Sequence, residues 1–181
     1  MRVPAGIAVM MAGSVIWGCA AAQRAMPSTM SNENVMAVFN TIDRSEIEAA
    51  QLAKQKSSSP AVRDFAERMI AEHTTMLERR RELAGRLNIS PQPPQLASAL
   101  KETHQETMEE LRKQSGRDFD RAYLEYQVKM HDQAEKLAQE TGESAENSRI
   151  RQHLMEARAN IESHLAQAKS VQRQAVAQQQ Q

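Results

Sequence analysis

At 181 residues the chain suits one domain with at most a tail. Hydrophobic residues make up 40% and charged residues 25%, enough for a packed core. Aromatics are only 3%, which excludes an aromatic-rich β architecture and favours helix. Lys plus Arg number 23 and Asp plus Glu 23, so the formal net charge is zero and the basic excess that nucleic-acid binding needs is missing.

Residues 1–22 read as an export signal. Arg2 supplies the positive start, and residues 7–17 form an apolar run of h-region length, too short for a comfortable membrane span. Two outcomes compete at its end. Ile16-Trp17-Gly18-Cys19 resembles a bacterial lipobox, which would acylate Cys19, although Trp17 stands where small residues are usual. Ala20-Ala21-Ala22 instead offers ordinary cleavage at a small-x-small site. Both outcomes place the protein in the periplasm, either soluble or attached to the outer membrane through a lipid on Cys19. Cys19 is the only cysteine, so no disulfide can staple the mature domain. Nothing in the sequence identifies a protein partner.

A polar linker over 23–31 leads to the helical domain, expected over 32–176 with a polar tail at 177–181. Ser31 caps the first helix, and Val35, Val38, Phe39, Ile42, Ala49, Leu52 and Ala53 give it an apolar stripe. Ser57-Ser58-Ser59-Pro60 stops it, and Ser59 with Pro60 opens the second, striped by Val62, Phe65, Ala66, Met69, Ile70, Leu77, Ala84 and Leu87. Within it, Arg79-Arg80-Arg81 reads as a solvated face. Residues 88–95 hold three prolines and form a loop. A shorter helix follows over 96–114, ended by Gly116. Asp118 caps the next, whose stripe runs from Phe119 through Tyr123, Tyr126 and Met130 to Leu137, and Gly142 ends it. The last helix starts near Ser144 with Ile150, Leu154, Ala157, Ile161, Leu165 and Ala168 inward. Two short loops force two antiparallel hairpins, and the long helical connection between them makes the expected fold all-α: a ferritin-like antiparallel four-helix bundle with a helical crossover. A simple up-down bundle of five helices is the alternative.

Such bundles place ligands from facing helices at their centre. Polar residues that fall on the stripes are Glu46, His73, His131, His153 and His164. Glu46 and His73 lie about equally far from the 57–60 turn, and His131 shares their level if the crossover spans the bundle. The matching level on the last helix falls near 153–157, which favours His153 or Glu156 over His164. Imidazole and carboxylate together suit a divalent metal: Zn, Fe, Mn or Cu. The plainer reading is that each histidine is a hydrogen-bonded core residue, and that Glu46 pairs with His73 or Arg68. Di-iron bundles carry Glu-x-x-His on two helices, but Ile70, Val128 and Ile161 stand three residues before His73, His131 and His164. Di-iron oxidase chemistry is therefore not expected, and no phosphate loop or Gly-x-Ser-x-Gly appears. Met69, Met76, Met108, Met130 and Met155 are expected to fill the aromatic-poor core, with Met130 and His131 also suited to copper.

The segments Glu46-Ile47-Glu48-Ala49-Ala50-Gln51-Leu52-Ala53 and Val62-Arg63-Asp64-Phe65-Ala66-Glu67-Arg68-Met69-Ile70-Ala71-Glu72-His73 resemble the bacterial domain-of-unknown-function family 4142. Phe119-Asp120-Arg121-Ala122-Tyr123, Gln127-Val128 with His131, and His164-Leu165 extend the resemblance over about 33–170. It implies an exported ferritin-like bundle, often labelled an outer-membrane protein, with no settled activity. It also implies Glu46, His73, His131 and His164 as the polar positions, against the register estimate that preferred His153. The expected role is a metal-binding or stress-related bundle of the cell envelope. The alternatives are a structural or interaction bundle without metal, and a metal-dependent redox enzyme.

Overall fold

The computed structural model describes residues 30–177, so the expected signal segment, Cys19 and the end of the polar tail lie outside the described residues. Five helices follow in order: α1 (Asn32–Lys56), α2 (Pro60–Arg86), α3 (Gln95–Lys113), α4 (Gly116–Ser144) and α5 (Ser148–Ala177). Among the described residues there is no strand, and no helix is long and apolar enough to cross a membrane.

Local chemistry sets most of the helix ends. Ser31 accepts from the Asn34 amide at 3.2 Å and starts α1. Ser59 accepts from the Val62 amide, with Pro60 at the first helical position of α2. At the far end of α2, Asn88 takes a positive φ of 53°. Its amide and that of Ile89 return to Gly85 and Ala84, a Schellman closure in which asparagine tolerates the left-handed conformation. Lys56 closes the end of α3 by donating to the Arg112 carbonyl at 2.6 Å, with its ammonium 5.3 Å from the centre of the Phe119 ring.

Three helix ends differ from the sequence reading. Gly116, at φ 55°, opens α4 instead of merely ending α3. Asp118 lies in the first turn of α4 and pairs with Arg121, so it is not the cap. Gly142 does not end α4, which runs on to Ser144. The Asn147 side chain then accepts from the Arg149 and Ile150 amides at 3.0 and 3.3 Å and starts α5. Gly142 is buried against Leu154, and tertiary packing there overrides its poor helix propensity.

Three-residue turns fold α1 on α2 and α4 on α5 as antiparallel pairs. α3 packs on α1 and α4. Its Ala97 joins the apolar cluster built around Phe39, Leu83, Leu137 and Leu154. Its Met108 and Leu111 join the second cluster, around Phe65, Met69, Phe119 and Leu124. α3 therefore carries the chain back along the bundle, and α4 begins at the end where α1 turns into α2. Met155, expected in the core, is instead 65% exposed.

The two apolar clusters are separated by a polar layer. On α1 it is Asp43 and Glu46, between Ile42 and Ala49; on α2 it is His73 and Arg80, between Met69 and Leu83. On α4 it is Gln127 and His131, between Leu124 and Ala134; on α5 it is His164, between Ile161 and Ala168. All seven are buried.

The α4–α5 packing makes a prediction at Gly142. A Cβ added there would meet the Leu154 Cβ at 3.6 Å, an ordinary van der Waals contact, on a backbone any residue can adopt. Gly142→Ala should stabilise the fold by about 0.5–1 kcal/mol and raise the melting temperature by about 1–4 °C in thermal unfolding. A lower melting temperature would show that α4 needs glycine there.

Candidate metal centre

His73, His131 and His164 come from three different helices, α2, α4 and α5, and meet in the interior. Each can present one nitrogen such that all three lie within 4.8 Å of one another. Ring centroids are 5.6 Å apart for His73–His131, 5.1 Å for His73–His164 and 5.3 Å for His131–His164. The rings face one another at steep angles of 53° to 81° rather than stacking. Among the described residues this is the one group of three or more His, Cys, Asp or Glu side chains with such geometry.

Each imidazole has one nitrogen tied down and one without a partner. His73 Nδ1 donates to Asp43 Oδ1 at 3.0 Å. His131 Nδ1 donates to the Gln127 carbonyl, one turn back on its own helix, at 2.9 Å. His164 Nε2 donates to Glu72 Oε2 at 2.5 Å. That leaves His73 Nε2, His131 Nε2 and His164 Nδ1 buried with no hydrogen-bond partner. Fixing one ring nitrogen as a donor fixes the tautomer, so the other carries a lone pair. Three such lone pairs in one place form a metal-ligand set, and carboxylate or carbonyl acceptors behind them are the usual support of metal-binding histidines.

The charges around the tripod are balanced in part. Asp43 is ion-paired with Arg80 and also accepts the His73 hydrogen bond, and both Asp43 and Arg80 are sealed from solvent. Burial by itself raises the Asp43 carboxyl, but Arg80 and His73 together bring it below the ordinary value. Arg80, expected on a solvated face, is therefore a core residue: its guanidinium also sits 5.5 Å from the Phe39 ring. Arg79 and Arg81 are exposed, as expected. Glu46 accepts from Gln127 Nε2 at 2.6 Å, and its second oxygen, Oε1, has no partner. It pairs with neither His73 nor Arg68. Burial pushes its carboxyl up to about 7.

The imidazoles shift the other way. Burial first, then the neighbouring His73 and His164, lowers His131 to about 3. Burial and His73 lower His164, against the pull of Glu72. At neutral pH both rings are neutral, the form that binds a metal.

The structure brings together His73, His131 and His164, with Glu46 close by but outside the set of mutually adjacent ligand atoms. It sets His153 and Glu156 apart. They line a surface groove with Arg79, Glu82, Arg86 and Arg149, and burial lowers His153 to about 4. The register estimate missed because it closed α4 at Gly142. Moving a hairpin turn by a few residues moves the facing level on the partner helix by twice as many, from near 155 to near 161. His164 lies within one turn of that level.

Asp43, Glu72, Arg80 and Gln127 were not singled out as site residues by the sequence. Asp43 stands one turn before Glu46, and Arg80 two turns after His73, so helical spacing could have found both. His104 was also missed. It is buried on α3, where it contacts the Tyr126 hydroxyl at 3.0 Å and Glu48 at 3.3 Å and ties α3 to α4 and α1.

A family model described as Domain of unknown function (DUF4142) matches residues 18–171. The chain belongs to the DUF4142 family. Among curated proteins and among solved structures nothing matches it. In this DUF4142 domain the tripod, its three acceptors and the Asp43–Arg80 pair all lie within the matched span.

The buried imidazoles fix a pH dependence for the metal-free domain. His131, His153 and His164 titrate lower in the fold than the ordinary 6.5, so below that pH the unfolded chain binds more protons and stability falls. Glu46 opposes this: raised from 4.5 to about 7, it stabilises at low pH and loses that contribution as pH rises through this window. His104, lowered by burial as well, adds a fourth, and four imidazoles outweigh one carboxyl. The melting temperature of metal-free protein should therefore fall from pH 6.5 to pH 4.5. A flat or rising profile would contradict buried neutral imidazoles.

Proposed function

We propose that this DUF4142 protein is an exported, ferritin-like helical bundle of the cell envelope that binds a divalent metal through His73, His131 and His164. One observation carries the metal reading: three unpartnered imidazole nitrogens are buried at one point, each ring held from behind by Asp43, the Gln127 carbonyl or Glu72. A histidine serving only as packing satisfies both of its nitrogens or leaves one to water. Three that spare the same region of the core for lone pairs are arranged for a cation. A tetrahedral ion with bonds of ~2.0–2.1 Å holds its nitrogens ~3.4 Å apart, so small rotations of the rings close them on it. All-imidazole donors suit Zn, Cu or Fe better than Mg or Ca.

The ferritin-like reading rests on two antiparallel hairpins joined by a helical crossover, with polar residues from α1, α2, α4 and α5 sharing one interior layer. Export to the periplasm, soluble or lipid-attached through Cys19, rests on the sequence of residues 1–22.

Metal analysis of the purified protein tests this. After chelation and reloading with Zn(II), Cu(II), Fe(II) or Mn(II) in turn, about one ion per chain is expected for the metal that fits. His73→Ala/His131→Ala should abolish stoichiometric binding while circular dichroism still reports helix. Failure of every metal to bind or to raise the melting temperature would leave a structural bundle whose histidines are packing residues.

A further inference from the structure

The tripod supplies three ligands, and a tetrahedral ion has four positions. A cavity of about 10 Å³ lies in the bundle interior against two of the three histidines. His73 and His131 line it together with Asp43, Glu46 and Arg80, and all four long helices contribute to its wall. Met76 and Met130 complete its wall beside the histidines. Its volume is that of roughly one water molecule.

Glu46 is the group that needs an occupant. Oε2 is held by the Gln127 amide at 2.6 Å, but Oε1 is buried and no protein donor reaches it. An acceptor sealed from solvent without a donor is costly, and such groups are regularly bridged by a trapped solvent molecule. Glu46 lies outside the set of mutually adjacent ligand atoms, so it is placed to contact a metal's ligand rather than the metal.

Resting on the metal reading above, we propose that the fourth coordination position is open and holds an exchangeable, water-sized ligand in this cavity, hydrogen-bonded to Glu46 Oε1. The ligand class is solvent, as water or hydroxide, each of which has a proton to donate. Closed structural centres fill all four positions with protein donors; centres that act on small molecules keep one free. In this arrangement the Gln127 amide orients the Glu46 carboxylate, and Glu46 selects for a ligand that can donate a hydrogen bond. An anion without a proton to donate meets the carboxylate charge and binds less well.

Copper is a suitable probe, since it binds nitrogen donors most strongly among the divalent first-row ions. The Cu(II)-loaded protein is examined by electron paramagnetic resonance in water enriched with the magnetic oxygen isotope, then titrated with fluoride at mildly alkaline pH. Line broadening by the enriched water is expected, with fluorine splitting that appears saturably on titration. Glu46→Gln, close to isosteric, removes the opposing charge and should tighten fluoride binding by about tenfold or more while leaving copper stoichiometry unchanged. Stoichiometric copper whose signal responds to neither enriched water nor fluoride would overturn the open position and leave the metal reading standing. A response identical in wild type and Glu46→Gln would overturn the role of Glu46. A chain that binds no copper at all overturns both this proposal and the reading beneath it.

Discussion

Polar groups buried at mid-length between two apolar clusters are the constraint on which this bundle depends. Asp43, His73 and Arg80 meet where no water can solvate them, so each must satisfy the others. Arg80 gives Asp43 its counter-charge, and Asp43 in turn takes the His73 proton on Nδ1 and fixes that ring. Breaking one member of a buried pair costs about 3–5 kcal/mol, because it strands the other charge. The layer therefore locks the register of α1 against α2, while the hairpin turns and apolar clusters hold the ends. Its remaining unsatisfied atoms are one nitrogen on each of the three imidazoles, Glu46 Oε1, Gln127 Oε1 and Arg80 Nε. The polar capacity the fold leaves over is the capacity available for binding.

That arrangement also explains how a site can be built without paired carboxylates. Desolvation keeps His131 and His164 neutral. A neutral ring needs no counter-charge, and it keeps its lone pair for a cation. Glu72, which accepts from His164, is only half-buried, so the tripod is linked through one hydrogen bond to the solvent face of the bundle. The Asp43–Arg80 pair is electrically closed on itself. A bound divalent ion would therefore bring positive charge toward Glu46, the one carboxyl of the layer with an oxygen to spare.

Much of the architecture was legible in the sequence because it follows from local rules. Ser31 and Ser59 act as caps where the sequence places them, and the apolar stripes of α1, α2 and α4 are the buried faces. The all-helical order with a helix inside the long connection follows from the same patterns. Elsewhere tertiary packing outvotes the local signal. Gly142 reads as a stop, yet packing against Leu154 keeps it helical. Arg80 reads as one of three exposed arginines, yet it turns inward to meet an aspartate thirty-seven residues earlier. His164 was displaced in the register estimate by that same glycine, whereas the family resemblance placed it among the polar positions. Asp43 was overlooked because it stands among Thr41, Arg44 and Ser45 like an exposed residue, and only its one-turn spacing from Glu46 marks it as inward.

The central claim is that three imidazoles from α2, α4 and α5 converge to hold one ion. A crystal structure of the zinc-loaded protein, with anomalous differences collected at the zinc edge, tests it most directly. A single interior peak is expected, bonded at about 2.0–2.1 Å to His73 Nε2, His131 Nε2 and His164 Nδ1, with Asp43, the Gln127 carbonyl and Glu72 still accepting from the opposite nitrogens. Zinc found only on the surface, with the three rings hydrogen-bonded to one another or to water, would contradict it.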